Sequence, residues 1–167
     1  KVFGKSDKLF VKQYEEETNL RALLCLDASG SMAYGAEGRG SKFEYARKAA
    51  AALAYLMVHQ ADATGLVTFD SQIRQQIAPR ATTRHLSALF RAMAQTEPGG
   101  ETNLATILHK LTGQLKRRGL IVILSDLFAP VEDLIHALAH LEHRRHEAIL
   151  FQILDPEELT FPFETVM

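Results

Sequence analysis

Three separate stretches of the chain carry oxygen donors in a pattern suited to a hard cation. Asp27-Ala28-Ser29-Gly30-Ser31 sets one carboxylate and two hydroxyls close together at the end of an apolar run. Gly99-Gly100-Glu101-Thr102-Asn103 offers a further hydroxyl, that of Thr102, just before a segment of helical period. Leu124-Ser125-Asp126 puts a second carboxylate after another apolar run. A cation such as Mg²⁺ wants oxygen ligands in an octahedron and gives up its waters reluctantly, so a few protein oxygens plus water is what its chemistry asks for. Gly30 permits a loop tight enough for Ser29 and Ser31 to face one point. Each stretch alone carries little weight, because a serine after a strand most often caps a helix. Their order and their shared place at strand ends make the pattern informative.

The elements that must position these groups alternate apolar, branched-residue runs with segments of helical period, the pattern of parallel strands joined by crossover helices. Residues 9–14 read as a leading strand, 20–27 as a central one, 65–69 as the next, and 72–77 as a short hairpin partner on an edge. Residues 119–125 and 147–154 are continuous apolar runs, as expected of strands covered on both faces. The expected fold is α/β: a doubly wound, mostly parallel sheet of five or six strands, with one antiparallel edge strand and helices on both faces. Ser41-Lys42-Phe43-Glu44 has the spacing of a capping box and opens an Ala-rich helix to about residue 59. Leu104, Ile107, Leu108, Leu111 and Leu115 recur at three- and four-residue steps, as do Val131, Leu134, Ile135, Leu138 and Leu141. Each set is expected to lay an apolar stripe against the sheet. A weaker helix over residues 84–94 precedes the turn Glu97-Pro98-Gly99-Gly100. In open sheets of this kind ligands bind beyond the carboxyl ends of the strands, an edge on which the three donor stretches are expected to converge.

Composition narrows the function classes. With 167 residues, 47% of them hydrophobic and 23% charged, the chain reads as one globular domain spanning residues 1–167. It starts at Lys1 rather than Met and is expected to be excised from a longer polypeptide. A formal net charge of -1 lacks the positive field that drives nucleic-acid binding. The single cysteine, Cys25, lies in an apolar run and reads as a buried strand thiol in a reducing compartment. No apolar stretch approaches the roughly 20 residues that cross a bilayer, and no signal-peptide core follows Lys1. A cytoplasmic domain without membrane contact is therefore expected, with any anchor carried by the rest of the full-length chain.

Asp27-x-Ser29-x-Ser31, then Thr102 after a double glycine, then Asp126 after an apolar strand resembles the metal-ion-dependent adhesion site of von Willebrand factor A domains. Lys12-Gln13-Tyr14-Glu15-Glu16-Glu17, Pro98-Gly99-Gly100-Glu101-Thr102 and the tail from Leu154-Asp155-Pro156 to Phe161-Pro162-Phe163 are similar to a bacterial branch often encoded beside MoxR-type AAA+ ATPases. The resemblance implies that Ser29, Ser31 and Thr102 are hydroxyl ligands of Mg²⁺ (or Mn²⁺ or Ca²⁺), with Asp27 and Asp126 coordinating directly or through water. It further implies a protein partner that offers an Asp or Glu to the ion, with a MoxR-type AAA+ ATPase as candidate and the domain as its adaptor. The ligand set makes chemical sense of this: two carboxylates about balance a divalent charge and hydroxyls are neutral, so the ion stays open to an incoming carboxylate. Two positions depart from the adhesion proteins, where glycine is usual: Ala28 inside the loop and Leu127 after Asp126.

Other residues have plainer roles open to them. Asp70 ends a strand and reads as a turn former; Glu101, next to Thr102, either tunes the ion's charge or faces solvent. His136, His140 and His143 share a helical face, with His146 after them, and are expected to point to solvent rather than to hold zinc. Arg117-Arg118 and Arg144-Arg145 are expected to be solvated helix ends. Met32 and Tyr34 are either an exposed rim or, for Met32, buried under the adjoining helix. Two further functions compete with a binding module: a Mg²⁺-dependent phosphohydrolase, which would want a nucleophilic carboxylate beside the ion, and a metal-free scaffold.

Overall fold

The computed structural model describes residues 20–35, 38–115 and 117–160; the strand read over residues 9–14 lies outside them. Strand β1, Arg21–Asp27, is the centre of the sheet, because its run Ala22-Leu23-Leu24-Cys25-Leu26 is apolar on both faces and is buried throughout. It pairs in parallel with β2, Ala63–Phe69, on one side and with β4, Leu120–Ser125, on the other. Strand β3, Ile73–Arg80, closes one edge antiparallel to β2, and β5, Glu147–Gln152, pairs in parallel with β4 at the other edge. The order is β3-β2-β1-β4-β5, five strands among the described residues with one antiparallel edge strand, as expected.

Alternation along β1 divides the core. Ala22, Leu24 and Leu26 face one cluster and Leu23 and Cys25 the other. Helix α1, Lys42–His59, covers the first face with Phe43, Ala46, Ala50, Ala54 and Val58. The three alanines, four residues apart, form a smooth stripe on which the sheet can lie close. Its start is as the sequence requires: the Glu44 amide donates to Ser41 Oγ at 3.2 Å. Helix α2, Thr83–Gln95, joins it through Leu86, Leu89 and Met93. On the second face lie α3, Leu104–Gln114, and α4, Val131–His143, with Ile107, Leu108, Leu111, Ala137 and Leu141 packed on the sheet. Burial pushes the Cys25 thiol up to about 12, which leaves it an inert packing group.

Two expectations fail at the β5 edge. That strand is not covered on both faces; every residue of Glu147–Gln152 except Leu150 is exposed. Nor does α4 bury its whole stripe: Val131 and Ile135 are 69% and 57% exposed. The cause is position. Helix α4 leans chiefly on α3, so its contact line runs through Ala137 and Leu141 and leaves the Val131–Ile135 side outside. His146 also departs from the expected exposure, being buried, whereas His136 and His143 are exposed. None of the described helices is long and apolar enough to cross a membrane.

Candidate metal centre

The chain leaves β1 toward α1 on one face and leaves β4 toward α4 on the other, so the sheet changes direction between β1 and β4. A crevice forms at such a switch point. Asp27 ends β1 and Asp126 follows β4, which brings both predicted carboxylates to this crevice; both are buried.

The Asp27 loop is held from within. Asp27 Oδ1 accepts from the Ser29 amide at 2.9 Å, and Oδ2 accepts from Ser125 Oγ at 2.5 Å. Ser29 Oγ and Ser31 Oγ lie 3.1 Å apart, so the two hydroxyls do face one point. The loop continues into a short 3-10 turn, Gly30–Ala33, which buries Met32 completely. Burial pushes the Asp27 carboxyl above its ordinary range and the nearby Asp126 charge adds to this, against the opposing hydrogen bonds from Ser125 and Ser29. A cation at this point would have the opposite effect.

Thr102 arrives on a second loop that is stitched to the first by a reciprocal backbone pair. The Gly30 amide donates to Gly100 O at 2.8 Å and the Gly99 amide donates to Ala28 O at 2.9 Å. Glycine is required where the loops touch: a Cβ on Gly30 would stand 3.0 Å from Gly100 O, and Gly100 has φ +80° with Asp70 Oδ2 3.1 Å from where its Cβ would be. Asn103 then caps α3 by accepting from the Thr106 amide. Three side-chain polar atoms among the described residues are buried without a hydrogen-bond partner: Thr68 Oγ1 inside the sheet, Thr102 Oγ1 in this loop, and His146 Nδ1 at the opposite edge. A buried hydroxyl without a partner costs about 1–3 kcal/mol, an expense that a ligand at Thr102 removes.

The third loop carries Asp126. Its Oδ1 accepts from the Phe128 amide at 3.2 Å, and Ser125 Oγ accepts from the Leu127 amide while donating to Asp27. Leu127 has φ 59°, the left-handed conformation that favours glycine. The leucine at this position is therefore strained, at a cost of roughly 1–2 kcal/mol.

Several residues that sequence reasoning passed over complete the site. Lys42 Nζ lies 2.9 Å from Asp126 Oδ2 and 2.7 Å from Glu158 Oε1, with only 3% of its side chain exposed. Burial alone would lower this ammonium, but the hydrogen bonds to Glu158 and Asp126 outweigh it and hold it above the ordinary lysine range. Glu158 belongs to the short helix α5, Pro156–Thr160, whose Glu157 accepts from Tyr34 Oη at 2.8 Å. The tail is thus tied both to the Asp27 loop and to the start of α1. Asp70, read as a turn former, does accept from the Gln72 amide, and it also pairs with Arg74 at 2.6 Å. Arg74 reaches on to Glu97 O and Gly99 O, clamping the Thr102 loop. The only hint in the sequence was an arginine four residues after Asp70 on an otherwise unremarkable edge strand. Glu101 is exposed and makes no hydrogen bond or ion pair among the described residues.

Arg74→Ala is expected to leave the fold intact, since its side chain is 32% exposed, and, if the site takes Mg²⁺, to weaken that binding about tenfold by loosening the loop that carries Thr102. Calorimetric titration checks this; unchanged affinity would show that the backbone pair alone positions Thr102.

Five oxygen side chains with no nitrogen or sulfur donor fit a hard divalent cation. Among the described residues no three His, Cys, Asp or Glu side chains are grouped so as to hold a metal ion, so hydroxyls must supply part of any coordination. The Lys42 ammonium on Asp126 moderates the negative charge the site offers.

The family described as "Protein of unknown function DUF58" matches the chain over residues 1–167. A Mycobacterium tuberculosis protein named "Uncharacterized protein Rv1480" is 27% identical over 157 residues, covering 91% of this chain and 48% of its own length. The chain thus spans about half the length of the curated relatives it matches. Among solved structures, "von Willebrand factor type A from Catenulispora acidiphila" is similar with TM-score 0.54 and 17% identity, over 79% of this chain and 32% of that one. Manganese-loaded TRAP protein of Plasmodium vivax is similar with TM-score 0.56 and 14% identity, over 80% of this chain and 57% of that one.

Proposed function

The chain belongs to the DUF58 family and has a von Willebrand factor A-like fold, and we propose that it is a metal-ion-dependent protein-binding module. The observation that carries this is the meeting of three loops at the switch point: Thr102 Oγ1 is buried and unpaired on a loop whose backbone is hydrogen-bonded to the Asp27–Ser31 loop, and Ser125 ties that loop to Asp126. Asp27, Ser29, Ser31, Thr102 and Asp126 would hold Mg²⁺, or Mn²⁺ or Ca²⁺. When bound, the ion supplies an electrophilic centre for a carboxylate on a partner. The likeness to a manganese-loaded protein agrees with this reading.

The chain's own groups shape the recognition. Serine and threonine hydroxyls add no charge, so the site stays receptive to an acidic side chain. Phe128, 77% exposed just after Asp126, and Tyr34, 36% exposed beyond the Asp27 loop, stand as apolar anchors at the rim. By resemblance, the partner is a protein offering Asp or Glu, with a MoxR-type AAA+ ATPase as the candidate and this domain as its adaptor in the cytoplasm.

One observation favours a second reading, a Mg²⁺-dependent phosphohydrolase: such sites commonly pair an aspartate with a lysine, and Lys42 contacts Asp126. Against it, both Asp27 oxygens already accept hydrogen bonds, and Lys42 is enclosed by Asp126 and Glu158 rather than directed to a substrate. Neither carboxylate is placed as a free nucleophile.

The test is capture of partner by the tagged full-length protein, with Mg²⁺ or with chelator, and with Asp27→Ala as control. Binding that needs both Mg²⁺ and Asp27 is expected. A complex that persists in chelator and with the variant refutes the proposal, and aryl phosphate hydrolysis that disappears in Asp27→Asn would replace it with the enzyme.

A further inference from the structure

The opposite edge of the sheet carries a second constellation, independent of the metal centre. β1, β4 and β5 begin there, roughly 20 Å from their carboxyl ends at the rise of a strand. The loops before β4 and β5 bring together Arg117, Arg118, His143, Arg144, Arg145 and His146 around a cavity of about 400 Å³. Four guanidinium groups thus gather in a chain whose formal net charge is only -1. None of the four forms an ion pair with a carboxylate among the described residues, although Glu147 lines the adjoining cavity with Arg118 and Arg145. Like charges held together without counter-charge repel one another, and an anion between them removes the penalty.

Two further features mark the cavity as built rather than as a chance cluster of surface arginines. His146 is 94% buried in its wall; its Nδ1 completes no hydrogen bond, and the Gly119 carbonyl beside the ring already accepts from the Glu147 amide at 3.1 Å. An imidazole nitrogen shut away from water without a partner is rare in a folded protein unless a ligand or water supplies one. The turn that places it is unusual too. The His146 amide closes α4 by donating to Leu141 O at 3.0 Å, with Arg145 at φ 62°. That closure normally takes glycine at the left-handed position, yet an arginine occupies it. Strained residues of this kind persist where the surrounding structure or a ligand over-determines them.

We propose that this cavity binds a phosphoryl oxyanion, with Arg117, Arg118, Arg144 and Arg145 holding its oxygens and the buried His146 forming the floor. Guanidinium forks match tetrahedral oxyanions in two-point hydrogen bonding, and the volume suits a small phosphate ester rather than an extended chain. A soluble phosphate compound and a phospholipid headgroup share this chemistry.

The experiment measures binding of inorganic pyrophosphate by calorimetry at fixed ionic strength, with acetate as a second titrant, on the protein and on Arg117→Ala/Arg144→Ala. Both arginines are exposed, so the variant folds; His146→Gln is the second variant. Cosedimentation with vesicles of equimolar phosphatidylcholine and phosphatidic acid is the parallel arm. Pyrophosphate binding that weakens at least tenfold in the double variant and several-fold in His146→Gln supports a soluble ligand. Vesicle binding with the same losses, and none to pyrophosphate, supports a lipid headgroup. Equal binding of acetate, losses absent in the double variant, or no binding in either arm overturns the proposal.

Discussion

Under the proposed function, Asp27→Asn is expected to lower Mg²⁺ affinity at least ~100-fold and, in chelator, to make the domain more stable than the parent. The first part follows from position. Asp27 is buried at the point where the three loops meet, and changes even to groups that merely support a metal ligand cost 10–100-fold in affinity. The second follows from linkage. Burial raises the Asp27 pKa above 3.8 in the folded state, so the folded protein holds this proton longer than the unfolded chain does. Stability therefore falls as pH rises from 3.8 through the raised folded value, and the whole cost is present above that value. Asparagine removes the charge and can still accept from the Ser29 amide while donating to Ser125 Oγ, which contact Asp27 now. The gain should fade below pH 3.8, where the parent is protonated folded and unfolded alike. Urea unfolding with chelator at pH 7 and at low pH measures it. A variant less stable than its parent at pH 7 would mean that Asp27 is a structural hydrogen-bond acceptor rather than a charge held ready for a cation.

Lys42→Met is expected to destabilise the domain by about 3–5 kcal/mol in chelator, because it leaves a buried carboxylate uncompensated. Lys42 and Asp126 are both buried, at side-chain exposures of 3% and 1%, and Glu158 loses its ion pair in the same step while keeping the Asp155 amide. Under the proposed function much of that loss returns when Mg²⁺ is added, since a divalent ion on Asp126 supplies the missing positive charge. The Mg²⁺-induced rise in unfolding midpoint should thus be larger in the variant than in the parent. Equal rises in both would sink the assignment of Asp126 as a ligand. The same variant loosens α5, which is also tied to the metal side by the Tyr34–Glu157 hydrogen bond. The tail of the described chain is in this way coupled to the state of the site.

The sheet order explains why the placement of these loops was readable. A continuous apolar run ending in Asp27-x-Ser29-x-Ser31 can only be a central strand with a loop at its carboxyl end, and the run ending at Ser125 obeys the same rule. Once both strands lie parallel and adjacent, as β1 and β4 do, their end loops have no other place to go. The double glycine before Thr102 was legible for a related reason: only a backbone without Cβ lets the second loop touch the first.

What could not be read were contacts between residues far apart in sequence and exposures set by neighbours. Lys42 looked like the first residue of an Ala-rich helix, and nothing local marks it as the partner of Asp126, 84 positions away. Arg74 looked like an edge-strand charge, yet it holds the Thr102 loop. Val131 and Ile135 have the period of a buried stripe but lie outside, because periodicity fixes which side chains share a face and not whether anything covers that face. His146 errs the other way: it seemed to continue a solvated histidine row, but the left-handed turn at Arg145 folds it inward. The sequence by itself determined the strands, the helix starts and the oxygen donors at strand ends, since these rest on local periodicity, capping and glycine chemistry. Tertiary structure alone decided which charges neutralise the site, how its loops are clamped, and which edge is left bare, since those depend on distances that chain order does not contain.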